Sequence, residues 1–374
     1  MSAKKIVLTM IVKNEAHVIE RCLASTLPVI DSWVIIDTGS TDGTQQKIKD
    51  FFAQIGIEGK LYERPWVDFG TNRSELLELA RPEGDYSLMI DADEILEFDG
   101  NFDPNAFKEN LTADLYSVFA IYGGIKYHRP QLTSNKLPFY YRGVCHEYVD
   151  CHEEIKTKSF ASGFINRPIQ DGARSKDPEK YKRDAKLFED ALNSGKTDPK
   201  DFNRYHFYLA QSYRDAQMPE KAIEWYLKRA SLGGWNEEVF YSLFQVAIIK
   251  EAQKAPIDEI IRYHLEAFNA CPFRAESLWI AAKLCRSYGR FHQAYTFAKK
   301  ALSLPYPEGG LFILQPVYDW MVLDEFATSA FWTEKFRDCK LACEKMLNDG
   351  KLPQRERERI ETNLRNAINC MLRE

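Results

Sequence analysis

The chain lacks a long apolar run. Its first one, Ile6 to Val12, is cut off by Lys13-Asn14. That is too short for a signal-peptide core with its cleavage site, and far too short to span a bilayer. No other stretch reads as a membrane span, so no transmembrane segment is expected. The eight cysteines include no C-x-x-C pair, which excludes the usual zinc and redox spacings. Cys339 and Cys343 are four apart on a predicted helix and share a face without making a metal motif. Scattered thiols of this kind fit a reduced, cytoplasmic protein. Positive charge is not in excess either. The 50 Lys and Arg face 55 Asp and Glu, a net charge of -5, which leaves no footprint for nucleic acid. Both common glycine-rich phosphate loops are missing: there is no G-x-x-x-x-G-K-[ST], and no G-x-G-x-x-G follows the first strand. A diphosphate bound by this chain would want a metal ion to neutralise it.

What the chain does have is an orderly alternation. At 374 residues and 45% hydrophobic content, it is too long for one compact core, and two domains are the default. Ile6 to Val12 reads as a buried strand, and Glu15 to Ser25 follows with helical spacing. Asp31 to Asp37 is a second strand. It breaks into Asp37-Thr38-Gly39-Ser40-Thr41-Asp42-Gly43-Thr44, a tight turn with Thr41 or Asp42 placed to cap the next helix. Lys60 to Glu63 is a short third strand, Phe69 to Ala80 a helix carrying Asn72 and Arg73, and Asp85 to Ile90 a fourth strand. This alternation predicts a mostly parallel α/β sheet.

The fourth strand ends in Asp91-Ala92-Asp93. In an open α/β sheet the ligand crevice lies outside the carboxyl ends of the strands. Two carboxylates there are suited to a hard divalent cation, which in turn holds a diphosphate. Asp37, at the end of the second strand, can accept from ribose hydroxyls or a base N–H. Arg73 offers a planar donor fork for phosphate.

The ordered set Ile11-Val12-Lys13-Asn14-Glu15, Asp37 to Thr44, Asp68-Phe69-Gly70-Thr71-Asn72-Arg73 and Asp91-Ala92-Asp93-Glu94 resembles the family 2 glycosyltransferases of the GT-A fold. The resemblance covers about the first 165 residues. It implies that Ile11, Val12, Asn14, Glu15 and Asp37 hold the nucleoside, that Arg73 lies near base and diphosphate, and that Asp91, Ala92 and Asp93 serve ribose and metal. Mn²⁺ or Mg²⁺ is the implied cofactor.

Further on, Leu115 to Tyr122 is a strand ended by Gly123-Gly124. Tyr127 to Leu132 and Phe139 to Arg142 are short strands on the acceptor side. Gly143-Val144-Cys145-His146-Glu147-Tyr148-Val149 follows. A strand there puts His146 and Glu147 on opposite faces. In the resembled family this stretch belongs to the active-site wall. Glu147 is the candidate general base; His146 is the alternative, or a metal ligand. Relatives often carry a His after the strand Phe160 to Ile165, but here Asn166-Arg167 stand in its place, which leaves the third metal ligand open. Arg174, Lys176 and Lys180 are placed either to line the diphosphate as a closing loop or to form a solvated basic linker into a helix beginning near Pro178.

From there on the chain reads as helical. Leu209-Ala210, Tyr213, Ala222 and Tyr226 match the tetratricopeptide pattern, and Leu243 lies one 34-residue period after Leu209. Residues from Arg355 onward read as a polar capping helix. The domains expected are a GT-A unit over 1–165, a linker and first helix over 166–200, and an all-α tetratricopeptide-like repeat domain over 201–374. Such a pairing is similar to bacterial and viral glycosyltransferases, including the peptide S-glycosyltransferases that modify bacteriocins. It implies a metal-dependent, inverting hexosyltransferase. The donor is a UDP-sugar of glucose or N-acetylglucosamine type, the acceptor a protein, peptide or glycan, and the repeats offer a surface for self-association. The alternatives are a sugar nucleotidyltransferase, which wants a glycine-rich basic loop after the first strand, and a non-catalytic repeat adaptor with a degenerate sugar-nucleotide domain.

Overall fold

The structure, a computed structural model, describes residues 3–122 and 125–373. Gly123 and Gly124, expected to end a strand, lie outside the described residues. The chain divides into two compact units, Met1–Lys196 and Thr197–Glu374.

The first unit is built on one eight-stranded mixed sheet. Its strands are β1 (Ile6–Val12), β2 (Ser32–Asp37), β3 (Gly59–Glu63), β4 (Tyr86–Met89), β5 (Glu94–Phe98), β6 (Leu115–Tyr122), β7 (Ile125–Ser134) and β10 (Lys158–Pro168), in the order β3-β2-β1-β4-β7-β6-β10-β5. A separate hairpin pairs β8 (Phe139–Arg142) with β9 (Tyr148–Cys151). The first four strands run parallel, as the alternation of the sequence predicts. β7 then joins β4 antiparallel, and β5 joins β10 antiparallel at the far edge. The parallel half is apolar on both faces: Ile6, Leu8, Met10, Val34, Ile35 and Ile36 are each 0–1% exposed, as a sheet covered by helices requires. Those helices are α1 (Ile19–Thr26), α2 (Thr44–Ile55), α3 (Phe69–Ala80) and the short α4 (Pro104–Glu109). Residues 166–196, expected as linker and first helix, fall within this unit. Asn166 is still inside β10, and α5 (Lys180–Asn193) buries Ala185 and Phe188.

The second unit contains α6 (Pro199–Asp215), α7 (Pro219–Ser231), α8 (Asn236–Ala252), α9 (Ile257–Ala270), α10 (Glu276–Ser287), α11 (Phe291–Leu302), α12 (Val322–Trp332), α13 (Phe336–Asn348) and α14 (Arg357–Met371). Each packs against its neighbours in sequence, the arrangement of a helical repeat array. Leu209 on α6 and Leu243 on α8 are both buried, as are Ala210, Tyr213, Ala222 and Tyr226. The aromatic positions of the repeat are therefore knobs between helices. Buried ion pairs tie neighbouring helix ends together: Arg229 in the last turn of α7 to Glu238 in the first turn of α8 at 2.8 Å, and Arg274, just before α10, to both Glu237 and Glu276. Cys339 and Cys343 share the buried face of α13. Among the described residues no cysteine is paired, and no helix is long and apolar enough to cross a membrane.

Candidate active site

A cavity of about 920 Å³ opens within the first unit. It lies at the carboxyl ends of β1 and β4, beside Thr38 at the end of β2. Ile11 and Val12 bring β1 to its wall, and Asn14 turns the chain. Asn14 takes a left-handed φ of 59°, which Asn tolerates better than most residues. Its backbone N–H donates to Ser40 Oγ and its Oδ1 accepts from Thr41 N–H, both at 2.8 Å. Asp42 accepts from Ala16 N–H at 3.0 Å and from Thr44 Oγ1 at 2.6 Å. Its Oδ1 also accepts from Thr44 N–H at 3.1 Å, so it stitches two loops together and holds the first residue of α2, although the N-cap position is Gly43. Asp37 is 1% exposed. Its Oδ1 accepts from Gly39 N–H, Ser40 N–H and Gln45, while Oδ2 is buried without a partner. Such an orphaned buried acceptor is rare in a folded protein and marks Asp37 as a residue whose role is not packing alone.

Asp68 caps α3 by accepting from Thr71 N–H at 2.7 Å. The cap fixes the first turn and with it Arg73, which is buried and lines the cavity. Arg73 donates to Asp91 Oδ1 at 2.6 Å, and its Nε lies 2.8 Å from Glu147 Oε1. Gly70, one turn earlier, lets the 143–147 segment come close: a Cβ there would stand 2.3 Å from Gly143 O.

Asp91 and Asp93 both line the cavity, but in different surroundings. Asp91 faces Arg73 on one oxygen and Arg129 Nη2 at 3.7 Å on the other. Burial pushes its carboxyl up; the guanidinium groups of Arg73 and Arg129 more than offset this and hold it below its ordinary value. Among the described residues Asp93 has no such partner. Burial, then the charge of Asp91, raise it. Glu15 behaves alike. Burial, joined by the charges of Asp93, Asp42 and Asp91, outweighs a bond from Ala173 N–H and pushes it up to about 7.

Beneath Asp91 lies a buried polar network that local sequence does not announce. Arg129 on β7 grips Glu94 with two bonds, 2.6 and 2.9 Å. Asn166 donates to Glu94 at 2.9 Å and to Gln131 at 3.2 Å. Asn166 thus sits in the floor as a support for Glu94. The aromatic pair Trp66 and Phe69, 4.7 Å apart edge to face, lines another side. Arg174 stacks over Phe69 at 4.6 Å and bonds Asp184 at 2.5 Å. The segment carrying it is tied down by Arg21, which grips Asp171 at 2.7 and 2.8 Å.

The structure brings Ile11, Val12, Asn14, Glu15, Arg73, Asp91, Ala92 and Asp93 to one cavity. Asp37 lies one residue from its wall, and Glu147, not itself a lining residue, pairs with Arg73, which is. His146 is not among the residues that line the cavity. Residues 143–147 form a bend between β8 and β9 and not a strand, so the opposite-face argument does not hold. His146 has a φ of 50°, is exposed, and lies parallel to the Phe188 ring at 6.3 Å. Gly143, with φ 105°, and the tight Gly70 contact force the bend. Trp66, Tyr127, Arg129 and Gly172 also line it and were not read as site residues from the sequence, while Arg174 and Lys180 of the basic segment line it too. Alternation along β7 is the one signal that puts Tyr127 and Arg129 on a common face.

Residues 8–133 match the family model described as glycosyl transferase family 2. The glycosyltransferase SunS of Bacillus subtilis is 27% identical over 247 residues, covering 59% of this chain and 51% of SunS. A TPR repeat-containing protein of Synechococcus elongatus is 38% identical over 90 residues, covering 24% of this chain and 20% of that protein. The chain thus spans about half the length of SunS, and less of the other. The crystal structure of S. aureus TarS is 14% identical, with a TM-score of 0.40, over 71% of this chain and 55% of TarS. Residues 8–133, on the mixed sheet of the first unit, thus resemble family 2 glycosyltransferases, and a tetratricopeptide-like helical repeat array follows.

Proposed function

We propose that the chain is a metal-dependent glycosyltransferase. It takes a sugar of glucose or N-acetylglucosamine type from a UDP-sugar and places it on a hydroxyl or thiol of a protein, peptide or glycan. The observation that carries this reading is the meeting of Asp91 and Asp93 with Arg73 in one cavity at the strand ends. The residues fit a divalent cation on a second observation. Gly172 leaves open the place its Cβ would take, 3.0 Å from both Asp93 Oδ2 and Glu15 Oε2. Among the described residues no group of three or more His, Cys, Asp or Glu converges. One or two carboxylates together with substrate phosphates suffice to hold Mg²⁺. The cation, when bound, supplies Lewis-acid stabilisation of the departing diphosphate.

The chain's own residues do the rest. Asp37, through its unpartnered Oδ2, accepts from the nucleoside. Trp66 and Phe69 offer an apolar face to the base, and Arg174 a donor fork to the diphosphate. The acceptor oxygen or sulfur forms its bond to the anomeric carbon opposite the leaving group. The carbon–phosphate oxygen bond breaks, and the diphosphate departs with the electron pair. Glu147 takes the acceptor's proton, in preference to the exposed His146. Such a one-step displacement inverts the anomeric centre. The repeats select the acceptor. A panel of nucleotide sugars with Mn²⁺, scored for release of the nucleoside diphosphate, tests the reading. Release from a UDP-sugar supports it, and no release from any donor overturns it.

A further inference from the structure

We infer that the cation-holding carboxylates of this chain are Asp93 and Glu15, and that Asp91 is not a ligand but the partner of the buried Arg73, with Arg129 close by. The inference rests on the donor-site reading above and changes which residues perform it.

Asp91 is already neutralised. Its Oδ1 accepts from Arg73 at 2.6 Å and its Oδ2 faces Arg129 at 3.7 Å. Arg73 is 6% exposed, so little solvent screens it. A divalent cation on Asp91 would sit against two guanidinium groups in a poorly screened place, where like charges repel strongly. Pulling Asp91 away would take one carboxylate partner from the buried Arg73, leaving it Glu147 alone, and would weaken the hold on Arg129, which keeps Glu94.

Glu15 and Asp93 stand in the opposite condition. Among the described residues neither pairs with a Lys, Arg or His side chain. Their bonds are to the backbone of one strap: Glu15 accepts from Ala173 N–H at 3.2 Å, and Asp93 from Gly172 N–H at 3.4 Å. The two carboxylates come from elements far apart in sequence, the end of β1 and the turn after β4, and converge on one point. That point is where Gly172 lacks a side chain: a Cβ there would lie 3.0 Å from an oxygen of each. Gly172 has φ -63° and ψ 168°, extended backbone open to any residue, so the glycine is not needed for the turn. What its missing side chain preserves is space between two negative groups. A hard cation with oxygen ligands and its own water is the chemistry that fits such a space.

The test is calorimetric titration of Mn²⁺ into the full chain, with and without UDP, for wild type, Glu15→Gln, Asp93→Asn, Asp91→Asn and Gly172→Val. Glu15→Gln and Asp93→Asn are expected to bind Mn²⁺ at least about tenfold more weakly. Gly172→Val fills the space without touching a carboxylate and is expected to do the same. Asp91→Asn is expected to stay within about threefold of wild type. Wild-type affinity in both Glu15→Gln and Gly172→Val overturns the inference, and so does a loss in Asp91→Asn equal to that in Asp93→Asn. If Asp91→Asn fails to fold, the other two variants still decide. Should wild type bind no Mn²⁺, the inference falls. Release of UDP from UDP-sugars by the same protein then shows whether the donor-site reading falls with it.

Discussion

Asp91 and Glu147 share one guanidinium. Arg73 donates to Asp91 Oδ1 at 2.6 Å, and its Nε lies 2.8 Å from Glu147 Oε1. One buried arginine thus couples the turn after β4 to the bend between β8 and β9. The group proposed to take the acceptor's proton is held in register with the donor cavity, although it does not itself line that cavity.

Removing the charge of Glu147 should separate chemistry from binding. Glu147→Gln keeps the shape of the side chain, and Arg73 keeps Asp91. Transfer at saturating donor should fall roughly 10²–10⁴-fold, the worth of a positioned base. Calorimetric affinity for UDP should stay near wild type. A near wild-type rate would remove Glu147 from the chemistry.

Gly70 should be intolerant for a steric reason. A Cβ at this position would stand 2.3 Å from Gly143 O, and Phe69 N–H donates to Val144 O at 3.1 Å beside it. Gly70→Ala must push the 143–147 bend off α3, with a stability loss of about 1–3 kcal/mol and a weakened Arg73–Glu147 contact. Denaturant unfolding of the full chain measures the first and the transfer rate the second. An unchanged midpoint together with an unchanged rate would contradict the close packing.

His264 in the repeats makes stability depend on acid. It is 0% exposed, and neither ring nitrogen has a partner. Burial pushes its pKa down from 6.5 to about 3. The unfolded chain therefore binds the proton between those values and the folded chain does not. The stability is full above about pH 6.5 and is lost as pH falls through that window. At pH 5 the loss is about 2 kcal/mol. His264→Leu should flatten the fall in melting temperature between pH 7 and pH 5. If the variant melts with the same pH slope as wild type, another group is responsible.

Much of the first unit was legible because its strands are apolar runs stopped by polar turns. β1, β2 and β4 end where Lys13-Asn14, Asp37-Thr38-Gly39 and Asp91-Ala92-Asp93 begin, and those stops are the walls of the cavity. The Asp68 cap marks the start of α3 just as plainly. β5 was not legible. Glu94 to Phe98 is short, and it becomes a strand by pairing with β10, whose Phe164 to Pro168 come some seventy residues later. The grip of Arg129 on Glu94 spans 35 positions, and no local pattern reports it. Residues 143–149 mislead in the other direction. Their composition favours a strand, but Gly143 and the Gly70 contact turn the chain and carry His146 out to solvent. Gly172 reads as an ordinary loop glycine until Glu15 and Asp93 are seen to meet beside it.

The central claim is that Asp93 makes this cavity a sugar-nucleotide site. The most direct measurement is UDP release from a UDP-sugar panel with Mn²⁺, run side by side on wild type and Asp93→Ala at matched folded concentration. The account predicts release by wild type that depends on Mn²⁺ and falls by at least about 10²-fold in the variant, the scale expected when a major electrostatic contact to the departing group is lost. Equal release by the two proteins would contradict it.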